Sequence, residues 1–228
     1  MSSVTTSPRI LWLQVCGLAA VQGAIALTWV IYNLYLLKLL TQFGFPKELA
    51  TGVLILAGMG VALGFRLMMQ TFPQILTSQV PEANKGLILG GIFVALALTA
   101  IPAGNLASRL GNRQAMMYGL VAMAGFTALM VLAHNGAIAA GIAIALGGTF
   151  SLVSNGTIPF ALSMVPPDKA GLGTGIYFSG GAVASSVFGA VFSQPNSLTP
   201  IVAALIASAA FLAAAVFVAS SGKLEAEN

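Results

Sequence analysis

Charge is what this chain has least of. Of its 228 residues only nine are Lys or Arg and five Asp or Glu, against roughly a quarter in an ordinary soluble domain. So few charges cannot coat a water-facing globule of this size, which excludes a soluble enzyme. The basic residues stand singly and form no polybasic stripe, so nucleic acid is excluded as a partner. Cysteine and histidine each occur once, as Cys16 and His134. A single thiol forms no internal disulfide, and a single imidazole with no second thiol nearby builds no metal or haem site, so no metal or redox cofactor is expected. Regular alternation of polar and apolar residues is also missing, which excludes an outer-membrane barrel.

What remains is 58% apolar residues and 26 glycines, with a mean hydropathy of +0.96. That combination predicts an all-α fold, a polytopic bundle of membrane helices. Each charge costs about 2.5 to 3.5 kcal/mol at the centre of a spanning helix, so the gaps between charges count the helices. The gaps give seven spans, near 10–38, 51–77, 86–107, 114–133, 137–160, 171–193 and 200–220. Two of the gaps are long enough for helical hairpins and break at polar turns, Ala133-His134-Asn135-Gly136 and Gln194-Pro195-Asn196-Ser197. The first apolar stretch is too long for a signal-peptide core and lacks a small-residue cleavage site, so it is read as a retained helix. The chain then divides into a tail over 1–9, a first helix and loop over 10–50, a six-helix bundle over 51–220 and a tail over 221–228.

Seven spans place Lys38, Lys47, Arg109, Arg113, Lys169 and Lys223 on one side, and only Arg9 and Lys85 on the other. The excess of basic residues marks the cytoplasmic side of a plasma or inner membrane, so the C-terminus is expected inside and the N-terminus outside. The alternative is that Thr51 to Gly60 form a short re-entrant piece, which turns the N-terminus inward.

Inside the spans, Arg66 is the most informative residue. Gln70 and Gln74 follow at i+4 and i+8 on the same helical face, and an intramembrane charge normally faces a cavity or a partner rather than lipid. The alternative is that Arg66 bonds helix-end carbonyls or snorkels to the interface. On the first helix Gln14, Gln22, Trp29 and Asn33 share one face, with Tyr32 at its edge. They suit a hydroxyl-rich solute, or equally serve as hydrogen bonds between helices. Ser151, Ser154 and Asn155 form a third, weaker group of the same kind. Asn155-Gly156-Thr157 is a glycosylation sequon only in form, because it lies within a span. Gly171-Leu172-Gly173-Thr174-Gly175, with Gly181, Ser185 and Gly189, is read as a small-residue packing stripe, since no strand precedes it. The last span has no lysine for a retinal Schiff base, and His134 is placed in a loop.

The loop after the third span reads Gly104-Asn105-Leu106-Ala107-Ser108-Arg109-Leu110-Gly111-Asn112-Arg113-Gln114. It resembles the G-x-L-A-D-R-x-G-r-[RK]-x signature of the major facilitator superfamily of secondary transporters. The matched positions are Gly104, Arg109, Gly111 and Arg113, while the acidic position is Ser108, a loss common in the second-half copy of the motif. The stretch from Ile158 to Gly175, with Pro159, Pro166, Pro167, Asp168 and Lys169, resembles the loop between the tenth and eleventh helices of sugar-porter-like members. Residues 60 to 220 thus resemble the six-helix C-terminal half of such a transporter, a partial major-facilitator-type fold. Residues 10 to 46, with Trp29-Val30-Ile31-Tyr32-Asn33-Leu34-Tyr35, resemble its first helix instead, with the join near Gly52 to Gly60.

The resemblance implies secondary transport of a small polar solute such as a sugar by a shortened transporter, with a homodimer as the means of restoring two halves. Arg66, Gln70, Gln74, Gln22, Trp29, Asn33 and Asn155 would line the path. No Asp or Glu lies inside a span, so the titratable carboxylate used in proton coupling is missing. That absence motivates the alternative of a non-transporting membrane subunit or assembly factor in a larger complex.

Overall fold

The computed structural model describes residues 48–192 and 198–222, within the compact unit Lys47–Asn228. The described residues of this unit form six α-helices: α1 Glu48–Gln79, α2 Lys85–Leu110, α3 Asn112–Leu129, α4 Gly136–Ser163, α5 Ala170–Val191 and α6 Pro200–Ser220. Short 3-10 turns, Met130–Leu132 and Pro167–Lys169, follow α3 and precede α5. Each of the six is long and apolar enough to cross a membrane. They fall on the second to seventh predicted spans, with ends that differ by a few residues. The predicted first span lies outside the described residues. The re-entrant alternative is corrected, because α1 runs unbroken from Glu48 through Gly52 and Gly60 to Gln79.

Local chemistry fixes the helix ends. The side chains of Asn84 and Asn135 accept hydrogen bonds from the backbone N–H groups of Leu87 (3.1 Å) and Ile138 (2.8 Å), opening α2 and α4. Thr199 does the same for Val202 at 3.4 Å, with Pro200 in the first turn of α6. Between α2 and α3 the chain reverses over one residue, Gly111, whose φ of +89° favours glycine. The prolines inside α1, α2 and α4 (Pro73, Pro102 and Pro159) each leave one carbonyl without its usual helical partner, a loss that membrane helices tolerate when neighbours compensate.

The last helix turns mainly small residues inward. On α6 the inner face carries Ala203, Ala207, Ser208 and Ala214 around Phe211, while Leu205, Leu212 and Val216 point outward. Lipid tails are as apolar as leucine, so helices gain by packing small residues closely rather than by hiding large ones. Leu87, Leu98 and Ile101 on α2 are 74 to 78% exposed. In water each would forfeit roughly 1.5 to 3 kcal/mol of burial; in hydrocarbon none is lost.

The packing has an internal repeat. α1 packs along α5 and α6, α4 packs along α2 and α3, and α3 meets α6. Exchanging α1 with α4, α2 with α5 and α3 with α6 returns the same set of pairs. A side chain added at Gly58 would run into the Tyr177 carbonyl of α5; one added at Gly147 would run into the Ile92 carbonyl of α2. Eight residues beyond Gly58 stands Arg66, and eight beyond Gly147 stands Asn155, so the two polar residues occupy matching places. Short loops reverse the chain three times between α1 and α4, and three is odd, so the two three-helix repeats run in opposite directions.

Candidate solute path

Arg66, Gln70 and Gln74 all lie exposed on one face of α1, as their spacing requires. Arg66 stands within a turn of the midpoint of the span Thr51–Gln79. The acidic residues nearest to it in sequence, Glu48 and Glu82, stand at or beyond the two ends of that span. Arg66 has no carboxylate partner among the described residues. Its guanidinium carbon lies 6.0 Å from the Phe188 ring centroid on α5. That is the outer limit of a cation–π contact and contributes on the order of 0.5 kcal/mol. Phe65, Arg66, Met69, Gln70 and Phe188 line an open groove of about 660 Å³.

Phe65 also lines a second hollow, of about 270 Å³, between α1, α4 and α5. Its walls are Gly58, Val61, Ala62 and Phe65 from α1, Phe150, Val153, Ser154, Thr157 and Ile158 from α4, and Tyr177, Phe178 and Gly181 from α5. Phe65 and Phe150 stack at 4.5 Å with rings 17° apart, which bridges the two repeats. Tyr177 meets Phe178 edge-on at 5.5 Å. The Tyr177 side chain is 4% exposed and its buried hydroxyl lacks a hydrogen bond of good geometry, although the Thr157 hydroxyl is its neighbour. Thr157 donates its own proton to the Val153 carbonyl at 2.8 Å.

The other predicted residues are placed differently. The Asn155 side-chain amide donates to the Ala100 carbonyl of α2 at 3.2 Å and to the Ser151 carbonyl at 2.9 Å, so it joins α4 to α2 and lines neither hollow. Its carbonyl oxygen lies against Gly104, where a Cβ would sit 3.3 Å away. Gly104 thus makes room for Asn155. Arg109 is exposed in the last turn of α2, where a cation complements the helix dipole. Gly111 makes the one-residue turn. Arg113 lies against Gly222, just past the end of α6, and lines a pocket of about 280 Å³ with Gln114, Pro159 and Ser163. Gln14, Gln22, Trp29 and Asn33 lie outside the described residues.

The small-residue stripe on α5 packs closely at Gly173, where a Cβ would run into the Ala161 carbonyl of α4, and in ordinary contact at Gly181, where it would rest 3.6 Å from Ala62, whereas one on Gly171 or Gly189 would meet nothing within 4 Å. The tight approach to α1 is made by Gly180, outside the stripe, against the Ile55 carbonyl. The stripe's four-residue spacing drifts around the helix, so it does not stay on the face toward α1. Sequence reasoning missed Phe65, Phe150, Tyr177 and Thr157 as lining residues. The available signal was a tyrosine in mid-span, where a hydroxyl needs a partner. No family model, no curated protein and no solved structure matches this chain.

Proposed function

We propose that this chain is an integral membrane transport protein of the major-facilitator type that moves a small organic solute along the face built by α1, α4 and α5. The observation that carries the reading is Arg66, an exposed cation at mid-span with no carboxylate partner among the described residues and an open groove beside it. On the insertion scale an arginine at that depth costs about 3 kcal/mol, and charges retained there characteristically line solute or ion paths. The inverted three-helix repeats add support. Transporters hold their sites where such repeats meet near the midplane, and here the 270 Å³ cavity is formed by α1 of one repeat with α4 and α5 of the other.

The test is uptake into proteoliposomes of a panel of radiolabelled sugars and organic acids. At least one enters faster than into protein-free vesicles, and Arg66→Ala slows that entry about tenfold or more. Rates equal to those of protein-free vesicles across the whole panel remove the proposal.

A further inference from the structure

The groove and the cavity share Phe65 as a common wall, and their chemistry differs at the two ends. At one end Arg66 presents a guanidinium with no carboxylate partner among the described residues, beside Gln70 and the Phe188 ring. At the other end the lining is aromatic and aliphatic, with no charge and no amide. Its polar groups are three hydroxyls, of which Thr157's proton is already used and Tyr177's hydroxyl is buried beside Thr157 without a hydrogen bond of good geometry. Gly58 at the cavity and Arg66 at the groove are two turns apart on α1, roughly 12 Å.

A sugar fits this arrangement poorly, because most of its hydroxyls would face Phe and Val side chains with no partner. A neutral apolar solute leaves the guanidinium unmatched. An anion with a flat apolar body satisfies both ends: a carboxylate accepts two parallel hydrogen bonds from a guanidinium, and an aromatic ring packs against other rings. On the reading that this face is the solute path, we propose that its ligand is a small aromatic monocarboxylate. The carboxylate sits on Arg66, the ring enters the cavity between Phe65, Phe150 and Phe178, and a ring hydroxyl, where present, bonds to Tyr177.

The test is equilibrium binding of radiolabelled benzoate to the purified full chain in lipid nanodiscs, with each variant first shown to be monodisperse. Benzoate binds saturably; affinity falls about tenfold or more in Arg66→Gln and by a smaller, intermediate factor in Arg66→Lys, which keeps the charge but loses the bidentate fork. Para-hydroxybenzoate binds more tightly than benzoate to the parent, and the difference disappears in Tyr177→Phe. Glucose and benzyl alcohol displace neither acid. The proposal is overturned if the parent binds no benzoate saturably, if Arg66→Gln binds it as the parent does, or if glucose displaces it. Flux separates this inference from the reading it rests on. Vesicles that bind benzoate without moving any solute sink transport and leave the site standing, whereas sugar uptake indifferent to benzoate sinks the site and leaves transport standing.

Discussion

An arginine exposed in the middle of a span is a liability that packing does not explain. Arg66 contributes about 0.5 kcal/mol through Phe188 and carries an insertion cost near 3 kcal/mol, so on balance it destabilises α1. Replacing it with leucine therefore separates function from fold. Arg66→Leu is expected to raise the thermal midpoint of the purified protein while abolishing uptake, the trade seen where an active site is held at the expense of stability. A lower midpoint would assign Arg66 a structural role instead. The hydroxyls around the cavity set a second scale. Each sugar hydroxyl buried without a partner costs about 1 to 3 kcal/mol, so even two of them offset the burial of a small ring. Phe150 is only half-buried but carries the stack against Phe65. Phe150→Ala is expected to lower stability by roughly 1 to 3 kcal/mol in a denaturation series and to weaken benzoate binding at the same time. A loss of stability with binding unchanged would separate the stack from the ligand.

At the scale of helices, the decisive contacts are those where backbone meets backbone. Gly58 with Tyr177, Gly180 with Ile55 and Gly147 with Ile92 bring α1 to α5 and α2 to α4 closer than any side chain allows. Gly147→Leu is expected to destabilise the bundle by about 2 to 3 kcal/mol or more, measured by thermal unfolding, whereas Gly90→Leu, where an added Cβ meets nothing within 4 Å, changes it little. Equal effects at both positions would refute the close-approach account. These contacts also explain what was legible in advance. The six described spans were readable because charges and polar turns separate the apolar runs, and Arg66 with Gln70 stood out as polar residues within one of them. Asn155 was readable as polar, but whether its amide faces a solute or the Ala100 carbonyl depends on which helix lies beside it. Phe65, Phe150 and Tyr177 were hidden, because in a helix that is apolar all round an aromatic residue has no contrast with its neighbours. Which face of α6 turns inward is marked mainly by alanines, and a hydropathy pattern does not register them.

For the molecule as a whole, the charges at the loops give an expected orientation that labelling can check. Arg109 and Arg113 flank the turn between α2 and α3, and Lys169 precedes α5 on the same side, while Lys85 opens α2 on the other. On the positive-inside rule the first group is expected in the cytoplasm. In a Cys16→Ser background, His134→Cys is expected to react with an impermeant maleimide only from outside the cell and Asp168→Cys only from the cytoplasmic side; both sites are exposed. The opposite pattern would invert the topology. The described bundle packs as two groups of helices, α1, α5 and α6 in one and α2, α3 and α4 in the other. α3 and α6 press together along one seam, with the Ser208 hydroxyl donating to the Ala124 carbonyl at 2.8 Å. The groups meet again at the stacked Phe65 and Phe150 rings and where Gly173 of α5 abuts the Ala161 carbonyl of α4, closer than a Cβ allows. A side chain added at Gly173 therefore acts as a wedge in that second seam, and is expected to part α4 from α5 before it disturbs the bond between α3 and α6.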